Sequence, residues 1–178
     1  MGEVQAAFVD APAFKNSATR SACWEGLQTY LELWGRLETK IEASLNGQRL
    51  IKCLWLAGSF ISGKPDPNNV DLTLFVEAEV LDRAAQMRLG VSKPLAHLAA
   101  SRQRILDLFR VSPIIIKYRY FRSPFPGGFE PEHSEYQQAR GGFDDWWCRL
   151  RQPGEDKQAP TVETGGWRRG YVEVMHGE

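Results

Sequence analysis

Cysteine and histidine are scarce, three of each in 178 residues. Cys23, Cys53 and Cys148 are odd in number and widely spaced, and no Cys-x-x-Cys occurs. That argues against a disulfide framework or a zinc site and makes a reducing cytoplasm the expected compartment. His97 lies among apolar neighbours, and His133 and His176 have no metal-ligand spacing around them. No apolar run approaches the ~20 residues needed to span a bilayer, so no membrane partner is expected. The N-terminus lacks a basic region followed by an apolar stretch, so no signal peptide is expected. Charge of neither sign is in excess: Lys+Arg 22 and Asp+Glu 22 cancel. A neutral chain argues against a broad nucleic-acid-binding surface. No internal repeat stands out.

What is present is an ordinary globular makeup. Hydrophobic residues are 43% of the chain and charged residues 25%, enough to bury a real core in one domain. Residues 1–20, with Pro12 and many small residues, read as a loosely held arm, and residues 21–178 as a single domain. After Ser21, a plausible N-cap, Trp24, Leu27, Leu31, Trp34, Leu37, Ile41 and Leu45 recur at spacings of three and four. This predicts an amphipathic helix closed by Asn46-Gly47. A short helix is expected over 77–89, broken by Gly90, and a second from Ser92 with Leu95, Leu98, Ile105, Leu106 and Phe109 as its buried face. Val111 to Phe121 reads as a strand, with Tyr118 and Tyr120 on one face and Lys117 and Arg119 on the other. Ser123 to Pro131 is a Pro/Gly loop. Glu132 to Arg140 is expected to be a helix stopped by Gly141-Gly142, with another from Phe143 to Arg151. Gln152 to Gly166 reads as a mobile loop or lid. Tyr171 to Val174 has the pattern of a short strand that joins the sheet.

Residues 50–76 carry the chemistry. An apolar run ends in Gly58-Ser59, a loop with Gly63, Pro65, Pro67, Asn68 and Asn69 follows, and a second apolar run opens with Asp71. Short apolar runs bounded by Gly and Pro read as strands. Glycine lets a backbone approach a phosphate closely, and a serine hydroxyl can bond a phosphate oxygen. A carboxylate on the neighbouring strand can hold Mg²⁺, which is usually bound by one or two carboxylates plus substrate phosphates. Lys64 in the loop could reach a phosphate or lie solvated. The bland alternative for the whole unit is a β-hairpin with a long polar loop.

Gly58-Ser59, the loop and Asn69-Val70-Asp71-Leu72 resemble the nucleotidyltransferase fold of the DNA polymerase β superfamily. Its motif is Gly-Ser or Gly-Gly, a gap of roughly ten residues, then Asp-x-Asp between apolar residues. More narrowly, Trp55 to Phe60, Lys64-Pro65, Val70-Asp71 and Arg169 to Val174 resemble a small uncharacterised nucleotidyltransferase-like family, over most of residues 22–174. The resemblance implies an α/β fold: a small mixed sheet with helices packed mainly on one face. It implies Mg²⁺ and an NTP as cofactors, with Asp71 as metal ligand and Gly58, Ser59 and Lys64 at the triphosphate. The chain departs from the motif at its first acid, where Asn69 stands. The strand from Ile114 to Phe121, which should bring a third carboxylate, offers Lys117 and Arg119, which either sit on a solvated edge or face the cleft to meet a phosphate or replace a metal's charge. Glu77, Glu79, Asp144, Asp145 and Glu173 are the other acids that could reach Asp71.

Two functions follow from the resemblance. One is a degenerate member, a pseudoenzyme that binds a nucleotide or a protein partner. The other is an active Mg-dependent enzyme moving NMP from an NTP onto a protein, RNA or small-molecule hydroxyl. An accidental motif on an unrelated α/β domain is the third alternative.

Overall fold

The computed structural model describes residues 1–45, 47–87, 90–99, 101–121, 130–149 and 169–175. In chain order these form α1 (Gly2–Phe8), a 3-10 turn (Pro12–Phe14), α2 (Arg20–Leu45), β1 (Ile51–Ala57), β2 (Val70–Glu77), α3 (Ala78–Gln86), α4 (Ser92–Leu98), α5 (Arg102–Phe109), β3 (Val111–Tyr118), α6 (Pro131–Cys148) and β4 (Val172–Met175). The sheet has four strands in the order β3-β2-β1-β4. β1 is antiparallel to both β2 and β4, while β2 and β3 run parallel. The fold is α/β, built on a small mixed sheet. Among the described residues no helix is long and apolar enough to cross a membrane.

Strand alternation sorts the core into two layers. Leu54, Leu56, Leu72, Leu74 and Val76 point to one face, where Trp24, Leu27, Trp34, Leu37 and Ile41 of α2 cover them, with α3, α4 and α5 adding Val80, Leu81, Leu98 and Ile105. Cys53, Trp55, Ala57, Phe75 and Ile116 point to the other face, where Tyr136 and Trp147 of α6 cover them. The expected predominance of helices on one face is observed. Central β2 is buried on both sides, which is why its sequence is almost continuously apolar.

α2 has 26 residues and so runs about 39 Å at 1.5 Å per residue. It lies against α5 so closely that a Cβ on Gly26 would stand 1.8 Å from the Phe109 carbonyl oxygen. Gly47, at φ +79, turns the chain after α2 as its sequence position suggested. Glu38 ties that turn to β1, accepting from Leu50 N–H at 3.2 Å and pairing with Arg49 Nε at 3.0 Å.

Four expectations are corrected. Residues 1–20 are packed: α1 puts Val4 in the core, and the Phe8 carbonyl accepts a bond from Arg20. α2 begins at Arg20, and Ser17 Oγ, not Ser21, receives the free N–H groups of Thr19 and Arg20. The helix expected from Ser92 onward is two, because Ser101 Oγ accepts from Arg104 N–H and caps a fresh start at α5. Gly141-Gly142 does not stop α6, which runs unbroken to Cys148. Tyr136 and Trp147 are eleven residues apart, about three helical turns. They bury on one face of α6, and this outweighs the ~1 kcal/mol that each interior glycine costs a helix. The expected loop at Ser123 to Pro131 and the expected lid at Gln152 to Gly166 lie almost wholly or wholly outside the described residues.

Candidate functional site

β1 and β2 form a hairpin whose last pair is Ala57 with Asp71. The chain turns out of β1 at Gly58, buried and at φ +73. L-residues with a Cβ avoid that region, and a second constraint applies here. A Cβ on Gly58 would lie 1.9 Å from Asp71 Oδ2. The glycine therefore provides both the left-handed turn and the room for the carboxylate. Ser59 follows, half-buried, its carbonyl accepting from Ser62 N–H at 3.2 Å and Ser62 Oγ at 2.8 Å. Gly58-Ser59 and Asp71 are thus brought to one corner at the end of the sheet.

The loop after Ser59 is organised by a residue with no sequence signal. Arg20 is 1% exposed, and its guanidinium donates to five backbone carbonyls: Phe60 at 2.6 Å, Lys64 at 2.6 Å, Ser62 at 2.7 Å, Phe8 at 2.8 Å and Pro65 at 3.2 Å. Phe14 stacks on it, 3.6 Å from the guanidinium carbon to the ring centre. Burial lowers its pKa, while nearby Cys23 and Asp66 favour the charged form. Asp66 accepts from Ala18 N–H at 2.7 Å and Ser17 Oγ at 3.0 Å. The loop is consequently clamped to the start of α2. Lys64, expected at a phosphate, contributes its carbonyl to this clamp and leaves its side chain exposed.

Asp71 sits among donors. Asn69 Nδ2 donates to Asp71 Oδ1 at 3.2 Å, and an Arg102 terminal nitrogen lies 3.8 Å from the same oxygen. On the other side of β2 the parallel register sets Ser112 of β3 beside Asp71. Ser112 Oγ accepts from Arg102 Nε at 2.5 Å. Trp147 of α6 donates its indole N–H to Thr73 Oγ1 at 2.7 Å, a buried bond two residues along the same face of β2. The end of α6 therefore packs beside the corner.

The other candidate acids lie farther along the sheet or engage other partners. Glu77 is six residues farther along β2, about 20 Å at the usual rise, and Glu79 is in the first turn of α3 beyond it. Asp144 accepts from Tyr171 OH at 2.6 Å, and Asp145 pairs with Arg149. Glu173 accepts from Trp55 Nε1 at 3.0 Å and stands 3.8 Å from Arg140. Lys117 and Arg119, which could have faced the cleft, are remote from Asp71. Lys117 is opposite Val76, five residues or about 16 Å from Ser112, and Arg119 pairs with Asp82 at 3.3 Å. Arg102 is the cation set beside Asp71. It has little prominence in the sequence, because a single helix over 92–109 leaves it as a solvated mid-helix charge; the capping Ser101 is the available signal.

Mg²⁺, the cofactor the resemblance implies, does not suit this donor set. Among the described residues one carboxylate, Asp71, stands at the corner, and Asn69 beside it brings no charge. A guanidinium stands where a second cation would meet the same oxygen. Among the described residues no group of three or more His, Cys, Asp or Glu could hold a metal ion. What the corner can do is bind an anion: it has a cation held by Ser112, and among the described residues nothing bonds the Ser59 hydroxyl.

A protein-family profile described as "Family of unknown function (DUF6932)" matches residues 1–175. The chain belongs to that family. No curated protein and no solved structure matches it. The DUF6932 match includes the corner, the Arg20 clamp and β4 alike, so α1 and its clamp are part of the family unit.

Proposed function

We propose that this DUF6932 protein is a degenerate nucleotidyltransferase-fold module that binds a nucleotide at the Gly58-Ser59/Asp71 corner and transfers nothing. The observation that carries this is the neighbour of Asp71 on β3. It is Ser112, holding Arg102, and not an acid. Phosphoryl and nucleotidyl transfer depend on metal ions that neutralise charge on attacking and leaving oxygens, and Asp71 with Asn69 is a poor set for them. The Gly58 turn and the clamped loop still support phosphate binding, which needs close backbone approach and fixed donors more than it needs metal. The three cysteines are free, which accords with the cytoplasm as its compartment.

The test pairs binding with turnover. Each NTP is titrated into the full chain by calorimetry, and α-labelled NTPs are assayed for transfer to the protein itself, to RNA and to small hydroxyl compounds. Binding without transfer is the expected result. Label transfer that Asp71→Ala abolishes would establish the active enzyme instead. If wild type binds nothing while Asn69→Asp does, the nucleotide site has lapsed and a protein partner becomes the function to seek.

A further inference from the structure

The misfit between Asp71 and a metal has a positive side. We infer that Arg102 serves in the metal's place, so that the corner takes a nucleoside triphosphate without a divalent cation. This rests on the nucleotide-binding reading above and specifies how the charge is met.

Three observations converge on Arg102. Its Nε is fixed by Ser112 Oγ at 2.5 Å, and a terminal nitrogen lies 3.8 Å from Asp71 Oδ1, so the guanidinium spans β2 and β3 at the corner. Its side chain is 55% exposed, and arginine carries five N–H donors. Ser112 and Asp71 engage its Nε and one terminal nitrogen, so further donors remain on a side chain that is more than half exposed. The backbone beneath is held at both ends of α5: Ser101 caps it one residue before Arg102, and the Val70 N–H donates to the Arg110 carbonyl just past its last residue at 2.9 Å. A planar guanidinium held this way suits bidentate phosphate recognition.

Charge accounting favours the cation already present. Asp71 and Arg102 together are neutral, so an anionic triphosphate meets no net repulsion. A divalent ion would have to compete with Arg102 for Asp71 Oδ1 and be repelled by it at close range. A metal-free triphosphate is therefore bound at least as well as its magnesium complex. Restoring the acid by Asn69→Asp adds negative charge beside the same oxygen and should reverse that preference.

Calorimetry on the full chain decides it, with ATP, GTP, CTP and UTP titrated in EDTA and in excess Mg²⁺. Wild type, Arg102→Ala, Arg102→Lys and Asn69→Asp are compared after thermal melts have shown each to be folded. Wild type should bind an NTP in EDTA no more weakly than in Mg²⁺. Arg102→Ala should lose about ten- to a hundred-fold in EDTA, the worth of one charge-assisted bond, and Arg102→Lys should lose less. Binding that requires Mg²⁺ and ignores Arg102→Ala overturns the inference while leaving a nucleotide site in place. Absence of NTP binding under both conditions overturns the nucleotide reading itself.

Discussion

Arg20→Met removes a buried guanidinium while keeping most of the aliphatic bulk. Five carbonyls lose their donor: Phe8, Phe60, Ser62, Lys64 and Pro65. A bond from a charged donor is worth about 1.5–3 kcal/mol net. The Phe60 carbonyl is the fully buried acceptor and should count in full, because no water replaces its donor. The other four bonds are partly buried, and water recovers much of their value. The stacking on Phe14 adds about 1 kcal/mol. The sum is about 3–5 kcal/mol, a large part of the 5–15 kcal/mol typical of a whole protein. For a chain of this size that is a fall of about 6–20 °C in Tm. The assay is urea unfolding followed by two probes, with amide exchange read locally. Protection should be lost first at Ser62, whose N–H bonds Ser59 O, and at Lys64, whose N–H bonds Ser62 Oγ. Arg20→Lys should fall between the two, since one ammonium cannot reach carbonyls spread around a planar fork. If Arg20→Met unfolds within about 1 kcal/mol of wild type, below the worth of a single charged bond, and residues 60–65 stay protected, the clamp does not hold the loop.

Three further outcomes are expected. Gly58→Ala should destabilise by at least ~2 kcal/mol, since left-handed backbone costs an L-residue 1–2 kcal/mol and the Cβ collides with Asp71; in a double-mutant cycle with Asp71→Ala part of that cost should vanish, and strict additivity would refute the close approach. Gly26→Ala would gain about 1 kcal/mol of helix propensity on an open helix, but its Cβ falls 1.8 Å from the Phe109 carbonyl, so unfolding measurements should show a net loss; a gain would mean that α2 and α5 do not touch there. Burial, and then the charge of Glu173, push the Cys53 thiol from 9.0 up to about 12. The unfolded chain thus releases this proton near pH 9 while the folded chain keeps it. Stability should fall as pH rises across that window, by up to about 1.4 kcal/mol per unit, and Cys53→Ala should flatten the slope in alkaline urea titrations.

Much of the layout was legible because it is written in local periodicity. The stripe from Trp24 to Ile41 identified α2, and two apolar runs about ten residues apart identified β1 and β2. Gly58 with Asp71 could be singled out because a hairpin pairs residues near each other in sequence. The triplet Ile114-Ile115-Ile116 marked β3, and Tyr171 to Val174 marked the strand that pairs with β1. These depend on which residues must face a core, and alternation records that directly.

Tertiary structure alone decided what surrounds Asp71. That Ser112 is its neighbour follows from the parallel register of β2 and β3, a pairing across forty residues that no local pattern encodes. That Arg102 reaches the corner follows from the break at Ser101, two short helices replacing one so that the chain re-enters the sheet at Val111. Arg20 resembles any helix-start cation until the chain from Phe60 to Pro65 folds over it. α6 crosses Gly141-Gly142 because Tyr136 and Trp147 bury against the sheet. Local propensity is worth about 1 kcal/mol per residue and burial of one aromatic side chain several times that on cavity-forming substitution, so contacts between distant segments overruled the sequence at these points.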